Sequence, residues 1–233
     1  MSLEFFQTSC LKVSEAASLI SLVIITTLLF IFGFVAQEIA ERSIMTKWDR
    51  RIVLALRNPA DPSTPIGPAW LREAARDITS LGSVVVLGII TFSVVGYLFL
   101  SSEAMAAWLI LISVVSGVTL NTVLKIVFAR DRPDRKIRAA QVFTKSFPSG
   151  HAALSAITYL TMGALLTRIN PSFELNLYIV TLALFLTVII GLSRIYMGVH
   201  YPTDIVGGWC IGFAWAFSCW ILMGYFQCTP GIA

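Results

Sequence analysis

Charge is what this chain has least of. Only 13% of its 233 residues are Asp, Glu, Lys or Arg, against 57% hydrophobic ones, whereas an average soluble domain is about a quarter charged. That shortage excludes an ordinary soluble globular protein, although the length alone would allow one or two such domains. Cysteine is sparse and badly placed for chemistry. Cys210, Cys219 and Cys228 recur nine residues apart, so successive ones point to nearly opposite faces of a helix, and no C-x-x-C pair occurs. With only two histidines in the chain, no ligand set for a metal stands out, and the cysteines read as packing residues. Internal repeats and low-complexity segments are absent as well.

What the chain does have is long apolar runs. Runs at 16–36, 78–102, 104–128, 175–193 and 204–226 each reach roughly the 17–25 residues that cross a bilayer. A sixth, 151–167, is shorter: its uncharged part, 152–167, is about 24 Å long as a helix, less than a ~30 Å hydrocarbon core. That length predicts that His151, at its head, sits slightly below the headgroup level. The first run has 21 uncharged residues, with Lys12 as the one basic residue ahead of it and Glu4 and Glu15 also preceding it. A signal h-region has ~7–15 apolar residues and a basic flank, so this run reads as a retained span. Six spans sharing one packed interior predict a single domain over 1–233. Gly208 and Gly212 form a small-xxx-small pair that permits close helix approach.

The segment 41–77 is the long interruption. Lys47-Trp48-Asp49-Arg50-Arg51 and Trp70-Leu71-Arg72-Glu73 are separated by a proline-rich stretch that marks a break between two short amphipathic helices. Aromatic and apolar residues beside basic ones suit helices lying in the headgroup layer, where Arg50 and Arg51 would hold anionic lipid heads. The run Arg130-Asp131-Arg132-Pro133-Asp134-Arg135-Lys136 has the look of a solvated or lipid-facing basic stretch. Within it Arg132 stands out, because Pro133 follows it and Lys125 precedes it at the end of an apolar run.

Chemistry concentrates in three short motifs at span ends: Lys125 with Arg132-Pro133, then Pro148-Ser149-Gly150-His151, then Ser193-Arg194 with His200 and Asp204. Hydrolysis of a phosphate monoester needs charge stabilised on the equatorial oxygens and a nucleophile held in line with the leaving group. Lys125, Arg132 and Arg194 supply the cations, and an arginine can fork across two oxygens. Pro148-Ser149-Gly150-His151 reads as a helix start: Ser149 is a good cap, Gly150 lets the backbone approach a ligand, and free N–H groups there bind anions. Asp204, four residues after His200, can accept a hydrogen bond from one imidazole nitrogen and leave the other as a nucleophile. Three cations and a helix start can neutralise a phosphate dianion without Mg²⁺, and no carboxylate cluster is spare for a hard cation. No cofactor or metal is therefore expected.

These residues resemble the signature of the type 2 phosphatidic acid phosphatase (PAP2) superfamily: K-x6-R-P, P-S-G-H and S-R-x5-H-x3-D. Lys125, Arg132, Pro133, Pro148, Ser149, Gly150, His151, Ser193, Arg194, His200 and Asp204 match every specified position. The resemblance implies an all-α bundle of six transmembrane helices, with the site at the ends of the third to sixth. It implies that His200 attacks phosphorus to form a phosphohistidine and that Asp204 orients it. His151 would protonate the departing oxygen and then assist water, while Lys125, Arg132, Ser149, Gly150 and Arg194 bind phosphoryl oxygens. The expected partners are a lipid phosphate substrate and membrane lipids, with no nucleic acid. Polyprenyl pyrophosphate, phosphatidylglycerol phosphate, phosphatidate and lipid A phosphate all offer the required terminal phosphate. Two other readings compete: a vanadate-dependent haloperoxidase-like enzyme, argued against by the spans, and a non-catalytic lipid transporter or scaffold, which would tolerate loss of His200.

The resemblance and the charge distribution disagree about sidedness. The resemblance places the site on the extracytoplasmic face of the cell (inner) membrane, and that is the expectation adopted. Yet 15 of the 17 Lys and Arg residues fall on the motif face, with Lys12 and Arg168 opposite, and the positive-inside rule would put that face in the cytoplasm.

Overall fold

The computed structural model describes residues 15–41, 44–140, 144–169 and 172–227. Lys12 and Cys228 lie outside them. Eight α-helices and no strand form among the described residues: α1 (Glu15–Ala40), α2 (Ile44–Ala55), α3 (Ala69–Ser80), α4 (Val84–Leu100), α5 (Ala104–Phe128), α6 (Gly150–Ile169), α7 (Phe173–Tyr196) and α8 (Pro202–Gln227). An all-helical answer is one of the two that lipid permits, because each helix satisfies its backbone N–H and C=O groups within its own segment. Large side chains such as Phe30, Phe92, Leu100 and Ile126 are exposed on the outside, as suits contact with acyl chains.

Four helices, α1, α5, α7 and α8, are long and apolar enough to cross a membrane, and α3 with α4 could make a fifth crossing bent by 49°. The chain is a multi-pass membrane protein. The expected run 78–102 does not form one straight helix. It breaks at 81–83, where Ser83 caps α4 by accepting the Val86 N–H at 3.2 Å. Gly82 keeps the break tight: a Cβ there would stand 2.5 Å from Ile190 and 3.4 Å from His151. The sixth run also differs from its expectation. Helix α6 has 20 residues, about 30 Å of rise, so its length gives no reason for His151 to be recessed. Buried Ser155, Thr158 and Thr161 dilute its apolar character, which a helix enclosed by other helices can tolerate.

Helix α6 is the hub, packed against α4, α5, α7 and α8, with α1 flanking α8 and α3 lying on α7. Its contact with α8 runs over small residues. A Cβ on Gly212 would meet Ala156 Cβ at 2.5 Å and the Ala153 carbonyl at 2.7 Å, and one on Gly208 would meet the Ser149 carbonyl at 2.7 Å. The expected Gly208/Gly212 pair is thus the seam that brings the motif-bearing ends of α6 and α8 together. Below the motif end, Phe147 is fully buried, stacked on Phe32 at 5.3 Å and edge-on to Phe128 at 5.3 Å. This aromatic cluster anchors the chain at Phe147 to α1, α5 and α8.

Overpacking a tight seam costs about 1–3 kcal/mol. Gly212→Val should therefore lower the unfolding temperature of the detergent-solubilised protein by several degrees. Gly33→Ala and Gly88→Ala, where an added Cβ meets nothing within 4 Å, should leave it within about a degree.

Candidate active site

The motif residues arrive from four helices and two connecting segments at one end of the bundle. Lys125 ends α5, Arg132 follows in the 129–149 loop, and Ser149, Gly150 and His151 open α6. Arg194 ends α7, His200 sits in the short α7–α8 connection, and Asp204 lies in the first turn of α8. Backbone hydrogen bonds tie these pieces together: the Ser149 N–H donates to the Asp204 carbonyl at 2.9 Å, and Ser146 N–H to the Arg130 carbonyl at 2.8 Å.

His200 is 1% exposed and is held from both sides. Its Nδ1 lies 3.3 Å from Asp204 Oδ2, and its Nε2 lies 2.8 Å from Arg132 Nη1. A guanidinium can only donate. Nε2 must therefore be the bare nitrogen, and Nδ1 carries the proton that is given to Asp204. That tautomer presents a lone pair at Nε2, as nucleophilic attack requires. Burial, then the positive charges of Arg132, Arg194 and Lys125, with His151, hold the imidazole well below its ordinary pKa. This depression and the Arg132 contact at Nε2 both favour the neutral ring.

Asp204 has no solvent exposure and is saturated. Besides His200 it accepts the Tyr201 N–H at 2.9 Å, the Ser146 hydroxyl, and Arg130 Nη1 at 2.8 Å. Arg130 reaches onward with Nη2 to Asp49 Oδ2 at 2.8 Å. Burial lowers the Arg130 pKa, but Asp204 and Asp49 outweigh it and hold the guanidinium above its ordinary value. Sequence reading missed this second layer. It left Arg130 in a solvated basic stretch and treated α2 as an interfacial anchor, whereas Asp49 is 1% exposed and Val53 fully buried. Pattern alone carried one usable signal, the placement of Asp49 and Val53 four apart on one face of an otherwise exposed helix.

The three cations expected to hold phosphate have neutral partners only. Lys125 Nζ donates to the Lys145 carbonyl at 3.0 Å. Arg132 donates to the carbonyls of Thr144 at 2.6 Å and Val199 at 2.7 Å. Burial pushes its pKa down to about 10, with Asp204 pulling it up and Arg138 pushing it further down. Arg194 is 5% exposed and donates to Thr79 Oγ1 at 3.2 Å, while its buried Nε has no partner. A buried charged donor left unpaired is costly, so the site is built to receive an acceptor. Ser149 is buried, and its Oγ stands 3.5 Å from the Ala152 N–H, a long cap. A Cβ at Gly150 would meet only ordinary contacts, 3.4 Å from Asn121 and 3.5 Å from Lys125. Protein crowding therefore does not demand glycine there. His151 is half-buried, packs on Gly82, and has no hydrogen-bond partner among the described residues. The arrangement combines a bare nucleophilic nitrogen, a second imidazole free to move a proton, and a cradle of uncompensated cations.

The chain belongs to the PAP2 superfamily, which it matches over residues 106–228. Together with its relatives and its apolar helices, that match identifies a phosphoric ester hydrolase of the membrane lipid phosphatase type. It is 31% identical over 144 residues to phosphatidylglycerophosphatase B of Bacillus subtilis, spanning 61% of this chain and 70% of that protein. It is 32% identical over 108 residues to undecaprenyl-diphosphatase of Sulfolobus acidocaldarius, spanning 44% of this chain and 48% of that one. Its fold resembles the crystal structure of the transmembrane PAP2-type phosphatidylglycerolphosphate phosphatase from Bacillus subtilis with a TM-score of 0.75 and 25% identity, covering 90% of this chain and 98% of that one. Aquifex aeolicus LpxE shares the fold at a TM-score of 0.53 and 24% identity, covering 72% of this chain and 90% of that one.

The depressed His200 pKa sets a pH dependence of stability. Below about pH 6.5 an unfolded histidine binds a proton that the folded one refuses, so unfolding is favoured as pH falls. Stability from this group is greatest above about 6.5 and drops by up to about 1.4 kcal/mol per unit below it, until the folded pKa is reached. Denaturation in detergent between about pH 6.5 and 5 should be shallower in pH for His200→Gln than for the parent. Equal slopes would assign the effect elsewhere.

Proposed function

We propose that this protein hydrolyses the terminal phosphate of a membrane lipid phosphate or diphosphate through a phosphohistidine on His200, as a single domain of six membrane crossings. The observation that carries the reading is the pinning of His200 between Asp204 and Arg132, which leaves an unprotonated Nε2 inside a pocket of cations. In the first step the Nε2 lone pair attacks phosphorus while the bond to the leaving oxygen breaks, and His151 gives that oxygen a proton. Arg132 must exchange Nε2 for a phosphoryl oxygen as the substrate enters. Lys125, Arg194 and the Ser149–Gly150 helix start then share the negative charge of the transferring group. In the second step His151 takes a proton from water, the oxygen attacks phosphorus, and the P–N bond breaks to restore His200 and release orthophosphate.

Phosphatidylglycerol phosphate is the first substrate to test, because the phosphatidylglycerophosphatase of Bacillus subtilis is similar in both sequence and fold. An undecaprenyl diphosphate is the second, on the Sulfolobus acidocaldarius relative. Both offer a phosphate beyond an acyl or prenyl anchor, reached sideways from the bilayer, and Arg50 and Arg51 are exposed on α2 to meet anionic heads. The same reading puts the site on the extracytoplasmic face of the cell membrane, as the family resemblance implies.

His200→Ala should reduce turnover to background while the protein still expresses, folds and elutes like the parent. Rapid quench of the parent should trap an acid-labile, base-stable phosphoryl adduct on His200. Full activity in His200→Ala would sink the mechanism. A panel of these lipids, with a water-soluble phosphate ester as reference, should be hydrolysed in excess EDTA, with the lipids preferred. Vanadate, which adopts five-coordinate geometry, should inhibit. A strict Mg²⁺ requirement, or equal use of the soluble ester, would overturn the metal-free or the lateral-entry reading respectively.

A further inference from the structure

The buried chain of charges behind the nucleophile continues past the carboxylate that orients it. Asp204 is bound by Arg130 at 2.8 Å, and Arg130 by Asp49 at 2.8 Å. Both carboxylates are buried to 1% exposure or less. Asp49 also accepts the Thr203 backbone N–H at 3.0 Å and the Thr203 hydroxyl at 2.5 Å. Thr203 in turn accepts from Arg130 Nη1 at 2.8 Å. The Arg130 guanidinium lies 4.5 Å from the centre of the Tyr201 ring, which fixes its plane. Asp49 thus performs, from a separate helix, the service an N-cap side chain gives: it satisfies one of the orphan N–H groups in the first turn of α8. That turn carries Asp204.

The geometry has a directional consequence. Arg130 spends its two arms on two different carboxylates, one arm on each, so it cannot slide toward either without losing the other. Asp204 Oδ1 is occupied by Arg130, which leaves Oδ2 as the atom facing His200 Nδ1. Without Arg130 the carboxylate could rotate about its Cβ–Cγ bond, and the imidazole would lose its fixed tautomer and aim. Lysine can replace the fork only in part, because its ammonium keeps the charge but cannot hold both acids in one plane.

From this we infer that Asp49 and Arg130 are positioning residues for catalysis, acting on His200 through Asp204 and never touching the substrate. In this role α2 does more than lie in the headgroup layer; its inward face is the outer wall of the catalytic relay. The inference rests on the roles given above to His200 and Asp204.

The test is a double-mutant cycle on the full-length protein in detergent micelles with phosphatidylglycerol phosphate, measuring kcat and KM separately. Arg130→Gln and Asp49→Asn should each lower kcat about tenfold or more, with KM changed by less than about threefold, the pattern of an interaction felt in the transition state. Arg130→Lys should recover part of the loss. In an Asp204→Asn background the same two substitutions should cost little further, because the group through which they act is already disabled. Multiplicative losses in both backgrounds, or parental kcat in folded Arg130→Gln, would reduce the pair to a structural bridge and overturn the inference. Should Arg130→Gln fail to fold, Asp49→Asn, which keeps the volume but removes the charge and turns one acceptor oxygen into a donor, decides the matter alone. Failure of the underlying reading looks different: full turnover in His200→Ala, whatever the Arg130 variants do.

Discussion

A carboxylate with no exposure to water must have its charge and lone pairs met by neighbours, and Asp204 draws those neighbours from several parts of the chain. Arg130 and Ser146 come from the loop after α5, His200 and the Tyr201 amide from the α7–α8 connection. Its own backbone carbonyl receives the amide of Ser149 at the mouth of α6. The penalty for leaving such a group unpaired is several kcal/mol, so its position fixes theirs. This one requirement explains why three motifs separated in sequence converge, and why α2, which supplies the counter-acid Asp49, is drawn in from the interface.

The cations sort into two kinds by their partners. Arg130 is tied to two carboxylates, so its charge is spent inside the protein. Lys125, Arg132 and Arg194 are held by carbonyls, a hydroxyl and a neutral imidazole nitrogen, which fix their positions without cancelling their charge. Their mutual repulsion is uncompensated within the protein, which suits the phosphate dianion of the proposed reaction. The distinction is not visible in composition or spacing, since all four are basic residues at the same end of the bundle.

Much of the site was legible in the chain because its members come in short motifs at fixed intervals, each at a span end. Lys125, Arg132, Ser149, Arg194, His200 and Asp204 fell where those intervals put them. Arg130 and Asp49 were not legible for a tertiary reason: they lie 81 residues apart, and each sits among basic neighbours that resemble a solvated face. The helices themselves followed the apolar runs closely, with Ala104–Phe128 matching the expected 104–128. The break in 78–102 was missed because Gly82 and Ser83 are unremarkable within an apolar stretch until Ile190 and His151 press against that glycine.

Membrane chemistry imposes where such a site can stand. Inside the hydrocarbon layer the backbone is committed to its own helix, so carbonyls free to hold a lysine or an arginine exist only at helix ends and in loops. The acceptors used here are the carbonyls of Thr144, Lys145 and Val199, all in irregular backbone beside the end of the bundle. Free N–H groups obey the same rule, and the two helix starts nearest the nucleophile, those of α6 and α8, are the ones that can meet an anion or a carboxylate. The small-residue seam between α6 and α8 brings these two starts together. A lipid phosphatase of this construction therefore keeps its anchor-binding surface in the apolar helices and its chemistry at their polar ends, and a packing defect at Gly208 or Gly212 reaches the active site through the Ser149–Asp204 backbone hydrogen bond.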